Sequence, residues 1–308
     1  MSVDSIQASG GDHVSPFAWE EATDNDLVTA TESETGELAA ETFTNSPCTM
    51  NDATTDATYN RTLTIQAGAE YDPSDDTGAK LVYSSGGTIA LRDHYDSFIG
   101  PLKIEWSVDS GNSCVNGFTG NFLVDKIFIE GMGGTQGSGG YAFINETGSS
   151  GTCWFRNCMA WANTSSVMEF GIYAAEAAVN TYNCAAYNCP EVGIRIFVGD
   201  AQNCWSSDCG TDFHFNYGGS GSTNAAEDGS GDITMSATIG DEITDVANDD
   251  FSIVDSGSVL DGAGADLSGT FTDDIFGTTR SAWDIGPIFF DAGGAAPVPT
   301  LSLLGVGT

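Results

Sequence analysis

Three segments, NCMAWAN (157–163), NCAAYNC (183–189) and NCWSSDC (203–209), set an Asn-Cys pair before a short stretch, at intervals of 26 and 20 residues. Superposed, they place Cys158, Cys184 and Cys204 in one column and Ala160, Ala186 and Ser206, all small, two positions on. Between and beyond these stand Met159, Ala185 and Trp205, then Trp161, Tyr187 and Ser207. Small residues tend to alternate with larger ones, the period of two expected of a strand with one face inward. A chain that repeats strand and turn every 20 to 27 residues, with loops of varying length, fits an all-β, single-stranded right-handed parallel β-helix. No coil of such a helix buries its apolar face alone; stacking coils about 4.8 Å apart makes one continuous core.

A second register follows each phrase: FGIYA from Phe170, VGIRIF from Val192 and DFHFN from Asp212. Upstream, RTLTI from Arg61, GTIALRD from Gly87, FIGPLKIEW from Phe98 and DKIFIEGM from Asp125 read as earlier strands, the last placing Gly131 in the cysteine column. The 39 glycines and 17 phenylalanines, without a long run of helix formers, suit short strands joined by turns. YGGSGSTNAAEDGSGD, from Tyr217, reads as a long surface loop. The expected organisation is an N-terminal cap (1–45), coils (46–232), a closing module (233–295) and an apolar docking tail (296–308).

The opening SPFAWEEATDNDLVTA, from Ser15, and the closing DDFSIVDSGSVLDGAG and DDIFGTTRSAWDIGPI, from Asp249 and Asp273, resemble segments of the right-handed parallel β-helix group that includes pectate lyases and phage tailspikes. Asp250, Phe251, Asp261, Asp274, Gly277, Arg280, Asp284, Ile285 and Gly286 carry the closing match, while Gly257 and Ala263 depart from it. The resemblance implies a helix bearing Trp19 over the open end of the coil, and specifies fold better than function.

Four residues separate Cys184 from Cys189 and Cys204 from Cys209, where zinc sites use two or three, so no metal is expected. Stacked coils also bring like positions within disulfide reach, and bridged and reduced columns both satisfy the spacing. The start MSVDSIQASGGDH lacks a basic, apolar secretory leader, which favours a reduced ladder of buried thiols. Asn157, Asn183 and Asn203 then form a ladder at a bend.

With the cysteine column inward, Trp161, Tyr187 and Trp205 face out, and Tyr173, Arg195 and His214 share an outer face of the next register. Aromatic rings beside a cation suit sugar stacking or contact with a partner. The formal charge of −36, from 44 acidic and 8 basic residues, repels nucleic acid and anionic membrane surfaces and suits a saline medium. No segment is long and apolar enough to span a membrane.

A lyase needs a base beside a calcium-holding carboxylate cluster, and only Arg156 and Arg195 sit suitably. A hydrolase needs two converging carboxylates, for which Asp93, Asp96, Glu130, Asp208 and Asp212 are available. With so many acids neither set stands out; nor do His94 in RDHYD or Asp72, Asp75 and Asp76 in YDPSDDTGAK. The expected function is therefore a non-catalytic virion component, a head decoration, fibre or spike, synthesised in a host cytoplasm, using no cofactor. Its expected partners are further copies in a homotrimer, other virion proteins and a cell-surface glycan. The alternative is a secreted or surface polysaccharide lyase or glycoside hydrolase.

Overall fold

The computed structural model describes residues 1–84, 87–107, 112–118, 120–132, 140–146, 151–163, 168–175 and 178–290. The chain forms a parallel β-helix with three faces, each a ladder of parallel strands from successive coils. Face 1 runs from Ser2–Ile6 through Glu34–Leu38, Arg61–Ile65 and the first halves of Ser97–Trp106 and Leu123–Gly131. It continues through Cys153–Arg156 and Val179–Tyr182 to the second halves of Val192–Gln202 and Phe213–Ser222. Face 2 starts at Thr42–Thr44 and reaches Ile233–Thr234; face 3 starts at Cys48–Met50 and ends in the first half of Phe213–Ser222.

Each face sends one column of side chains inward. On face 1 this is Leu63, Phe98, Val124, Phe155, Thr181 and Ala201; on face 2, Phe43, Leu81, Ile104, Ile129, Ala160 and Ala186; on face 3, Cys48, Ile89, Val115, Phe143, Ile172 and Ile194. All of these are buried, and all but the polar Thr181 belong to a single hydrophobic core.

The repeated phrase sits at the corners. Asn157, Asn183 and Asn203 turn the chain from face 1 to face 2 with φ of 48°, 51° and 54°, a left-handed conformation Asn tolerates better than most residues. Asn188 and Asp208 turn it again from face 2 to face 3, at φ of 55° each. NCAAYNC is thus a three-residue strand, Ala185–Tyr187, between two left-handed corners, each followed by an inward thiol.

The thiols stack as an unbridged ladder. The Cys158 amide donates to Cys184 Sγ at 3.4 Å, that of Cys184 to Cys204 Sγ at 3.5 Å, and that of Cys189 to Cys209 Sγ at 3.3 Å. Burial drives the Cys184 thiol far above its usual range and holds it inert. Gly131 does not belong to this column: it pairs with Ala162, and the Phe128–Met159 pairing puts Ile127 level with Cys158. The two coils run in unbroken register from Asp125–Arg156 to Phe128–Met159, so the glycine lies four residues beyond the cysteine column.

The opening segment closes the N-terminal end. Ser15 caps the helix α1 (Pro16–Ala22) by accepting from the Ala18 amide at 3.1 Å, and Pro16 occupies its first turn. The helix delivers Trp19, fully buried, against Gly36, where a Cβ would lie 2.7 Å from the indole. Arg61, also fully buried, gathers Asp24 at 2.9 Å, Asp93 at 2.7 Å, Glu20 at 3.6 Å and Asp96 at 3.7 Å, tying this helix and its following loop to the third and fourth coils. Burial raises Glu20 and Asp96 each to about 7.

The C-terminal segment behaves differently from a lid. After Ile233–Thr234 the chain leaves the ladder, and residues 235–290 lie along the outside of face 2 as a strap, with one antiparallel pair, Ile243–Asp245 and Asp250–Ile253. The closing motif is its staple. Asp274 accepts from the amides of Phe276 and Thr278, Asp284 from those of Gly262 and Phe290, and Arg280 donates to the carbonyls of Gly286 and Pro287. Gly286, at φ 105°, rests on Trp205, where a Cβ would come within 2.3 Å of the ring.

YGGSGS is likewise no loop. Residues 218–222 form the last strand of face 1, pairing with 198–202. A glycine-rich stretch pairs here because the coil beneath supplies a complete template.

Candidate functional site

The outward columns of faces 2 and 3 both carry rings, and the structure separates the six residues expected to share one strip. Trp161 and Trp205 on face 2 are only 2% exposed, and Tyr187 is half-buried beside them. They are covered by the chain itself. Phe251 packs on Trp161 and Tyr187 at 5.0 and 6.3 Å, Phe276 packs on Phe128 at 5.5 Å, and Trp161 Nε1 donates to Asp249 at 3.1 Å. The expectation that these three rings are open to a ligand is therefore corrected: the strap needed a cover for its own apolar side, and this column supplied it.

Cations of the coil meet acids of the strap along the same seam. Lys103 lies 2.7 Å from Glu130 and 3.4 Å from Asp249, and Lys126 pairs with Asp273. Burial works against the Lys103 charge, yet Glu130 and its neighbours hold it well above its usual range. Asn183, with its amide oxygen toward the guanidinium, accepts from Arg280 Nη2 at 3.2 Å, and Asn203 accepts from the Ala265 amide at 2.8 Å. The asparagine ladder thus has a second use, as the strap's polar anchor.

Face 3 is the open one. Register puts Tyr173, Arg195 and His214 side by side, as expected from the sequence. Around them the fold gathers rings that sequence spacing did not connect: Tyr141 stacked on Phe170 at 4.8 Å, Tyr141 edge-on to Tyr173 at 5.1 Å, Tyr173 beside Phe197 at 5.6 Å, and Phe197 stacked on Tyr217 at 5.4 Å. Tyr217 is 93% exposed and Val198 38%. Tyr173, Ala175, Phe197, Val198 and Tyr217 line an open groove of about 430 Å³. The signal missed was the corner between faces 3 and 1: Phe197 and Tyr217 follow their strands' bulges and fall beside Tyr173 only once coils stack.

Arg195 lies between two rings, 5.2 Å from the centroid of Tyr173 and 4.6 Å from that of Phe197. Its Nε is buried without a hydrogen-bond partner, and no carboxylate among the described residues forms an ion pair with it. Burial raises the Tyr141 phenol, with Tyr173 and Glu169 adding to the effect.

The carboxylates considered for hydrolysis have structural work. Asp93 and Asp96 belong to Arg61, Glu130 to Lys103 and Asn163, and Asp212 accepts from Ser206 and from the amides of Glu227 and Asp228. Burial raises Asp212 to about 6. Asp208 is a corner residue, Arg156 is paired with Asp125 at 2.5 Å, and Asp76 serves Lys80 and Lys103. Among the described residues no group of three or more His, Cys, Asp or Glu is placed to hold a metal ion, and no helix is long and apolar enough to cross a membrane. The tail 296–308 lies outside the described residues.

No protein-family profile, curated protein or solved structure matches this chain. The class of molecule defined by fold and site is a parallel β-helix with one strapped and one open aromatic face.

Proposed function

We propose that the chain is a non-catalytic structural component of a virion, a head decoration, fibre or spike, that binds a cell-surface glycan through face 3. The observation that carries the binding half is the run of rings from Tyr141 to Tyr217 bordering an open groove, with Arg195 set among them. Ring faces stack on the C–H faces of pyranoses while a guanidinium donates to hydroxyls. Face 3 spans several coils, so successive sugars of an extended chain have successive rings to meet. The virion half is supported by the resemblance of the opening and closing segments to β-helical spikes.

Two measurements test it. Purified native particles should contain the chain; its absence from them defeats the virion half. Immobilised polysaccharides should retain the protein, with Tyr217→Ala weakening retention about tenfold, or 1.4 kcal/mol. New reducing ends or unsaturated products lost in Arg195→Ala would replace this reading with the lyase or hydrolase one.

A further inference from the structure

The eight cysteines divide by access. Seven are buried, and only Cys209, at the corner from face 2 to face 3 between the exposed Asp208 and Gly210, is partly exposed. Cys189 lies one coil away in the same column. The register that pairs Tyr187 with Ser207 continues through the corner, where the Gly210 amide donates to Cys189 O at 3.0 Å, so the two cysteines hold like positions on neighbouring coils. Such positions lie about 4.8 Å apart, inside the Cα range of a disulfide.

The Cys209 sulfur already reaches across that gap. It accepts from the Cys189 amide at 3.3 Å, beside the backbone from which the Cys189 side chain springs, and the two thiols share a hydrogen bond. Turning Cys189 about its first side-chain torsion is the movement left for the sulfurs to meet. Gly171 and Gly193 keep the neighbouring space clear, since a Cβ on the first would stand 3.3 Å from Cys189 Sγ and one on the second 3.0 Å from Cys209 Sγ.

The surroundings of the two thiols differ. Ser206 Oγ lies 3.5 Å from Cys209 Sγ and 3.2 Å from Asp212 Oδ1, so a hydroxyl links the accessible thiol to a carboxylate that can receive its proton. Cys189 keeps its proton: the hydrogen bond with Cys209 and burial hold that thiol well above its usual range.

We propose that Cys189 and Cys209 are a thiol pair that a peroxide converts to a disulfide within one chain. The Cys209 thiolate attacks one oxygen of hydrogen peroxide; the O–O bond breaks, the sulfur becomes a sulfenic acid, and the other oxygen leaves as hydroxide and takes up the thiol's proton as water. The Cys189 sulfur then attacks the Cys209 sulfur. The S–S bond forms as the S–O bond breaks, and the Cys189 proton leaves with the hydroxide as a second water. Two thiols are thus oxidised and one peroxide is reduced. Cys158, Cys184 and Cys204 repeat the amide-to-sulfur contact, but all three are buried from the oxidant and stay reduced. The new bond spans 20 residues and fastens two coils near the end of the ladder, where a solenoid otherwise frays.

Folded protein treated with hydrogen peroxide, then denatured and alkylated, should have lost two of its eight free thiols, with the peptides bearing Cys189 and Cys209 joined within one chain. Cys189→Ala should stop at a sulfenic acid on Cys209 that dimedone traps, and Cys209→Ala should leave the remaining thiols unreacted. The oxidised parent should exchange the amides of 205–207 and 213–215 about tenfold more slowly than the reduced one. Survival of all eight thiols, a Cys209 link between copies, or a bridge at another pair would overturn the proposal. Unchanged exchange in the bridged chain would overturn the fastening of the coils.

Discussion

Faces 2 and 3 rise from the same coils and carry similar outward rings, yet one is sealed by residues 235–290 and the other is open. Trp161 on face 2 and Tyr217 at the edge of face 3 mark the extremes, at 2% and 93% exposed. The difference is one of partners. Along the seam with the strap, Lys103 of face 2, Lys126 at the corner before it and Arg156 of face 1 each meet an acid or ring of the strap or an acid of the coil, whereas Arg195 on face 3 lies between rings and forms no ion pair among the described residues. An acidic strap settles where cations and apolar surface coincide, and it leaves face 3 uncovered by residues 235–290.

The largest break in this comparison should come from Trp161→Ala, which removes a ring packed on Phe128 and Phe251 and the indole donor to Asp249, leaving that carboxylate to Lys103. A loss of about 3–5 kcal/mol in urea unfolding is expected, whereas Tyr217→Ala should stay within about 0.5 kcal/mol. Equal losses would mean that the faces are not distinct.

Lys103→Met comes next. It leaves Glu130 buried and Asp249 half-covered without their cation, for a cost of about 3 kcal/mol. Proteolysis should then begin in 235–290 before the coils are cut.

On the open face, Tyr173→Ala deletes contacts to Tyr141, Phe170 and Phe197 and should cost about 1 kcal/mol of stability while weakening glycan retention more than Tyr217→Ala does. Retention unaffected by either variant would remove face 3 from the binding reading.

The smallest effect is pH-dependent. Burial raises the carboxyls of Asp249, Asp274 and Asp284 above their usual 3.8. An acid raised in the folded state opposes folding once ionised, so its penalty is fully present above the raised value and fades as pH falls toward 3.8. Exchange protection in the strap, corrected for intrinsic rates, should rise between pH 7 and 4; a fall would contradict the sign.

Much of the coil was legible because its rules are local. An Asn-Cys pair needs only a left-handed corner and an inward thiol, and both recur wherever the phrase recurs, which is why Cys158, Cys184 and Cys204 align. The second corner, at Asn188 and Asp208, is equally present in NCAAYNC and NCWSSDC, where Asn or Asp again precedes a cysteine. Gly131 was misaligned because its coil has Lys126, at φ 61°, at the corner where the later coils have Asn, and Ile127 in the cysteine column, so the phrase that marks the register is missing there. Of the candidate site, Tyr173, Arg195 and His214 could be read from strand register. Tyr141, Phe170, Phe197 and Tyr217 join them only through stacking between coils of unequal length.

The sequence by itself determined the unit of construction: strands of alternating residues, corners at asparagine, thiols inside, and a strongly acidic exterior. Only the tertiary structure decided which outward rings are surface. A strand's alternation states that Trp161 and Tyr173 both point away from the core, but whether water or protein lies beyond them depends on where residues 235–290 settle. That choice is made by apolar area and opposite charges meeting at a distance of some hundred residues, where local pattern carries no information.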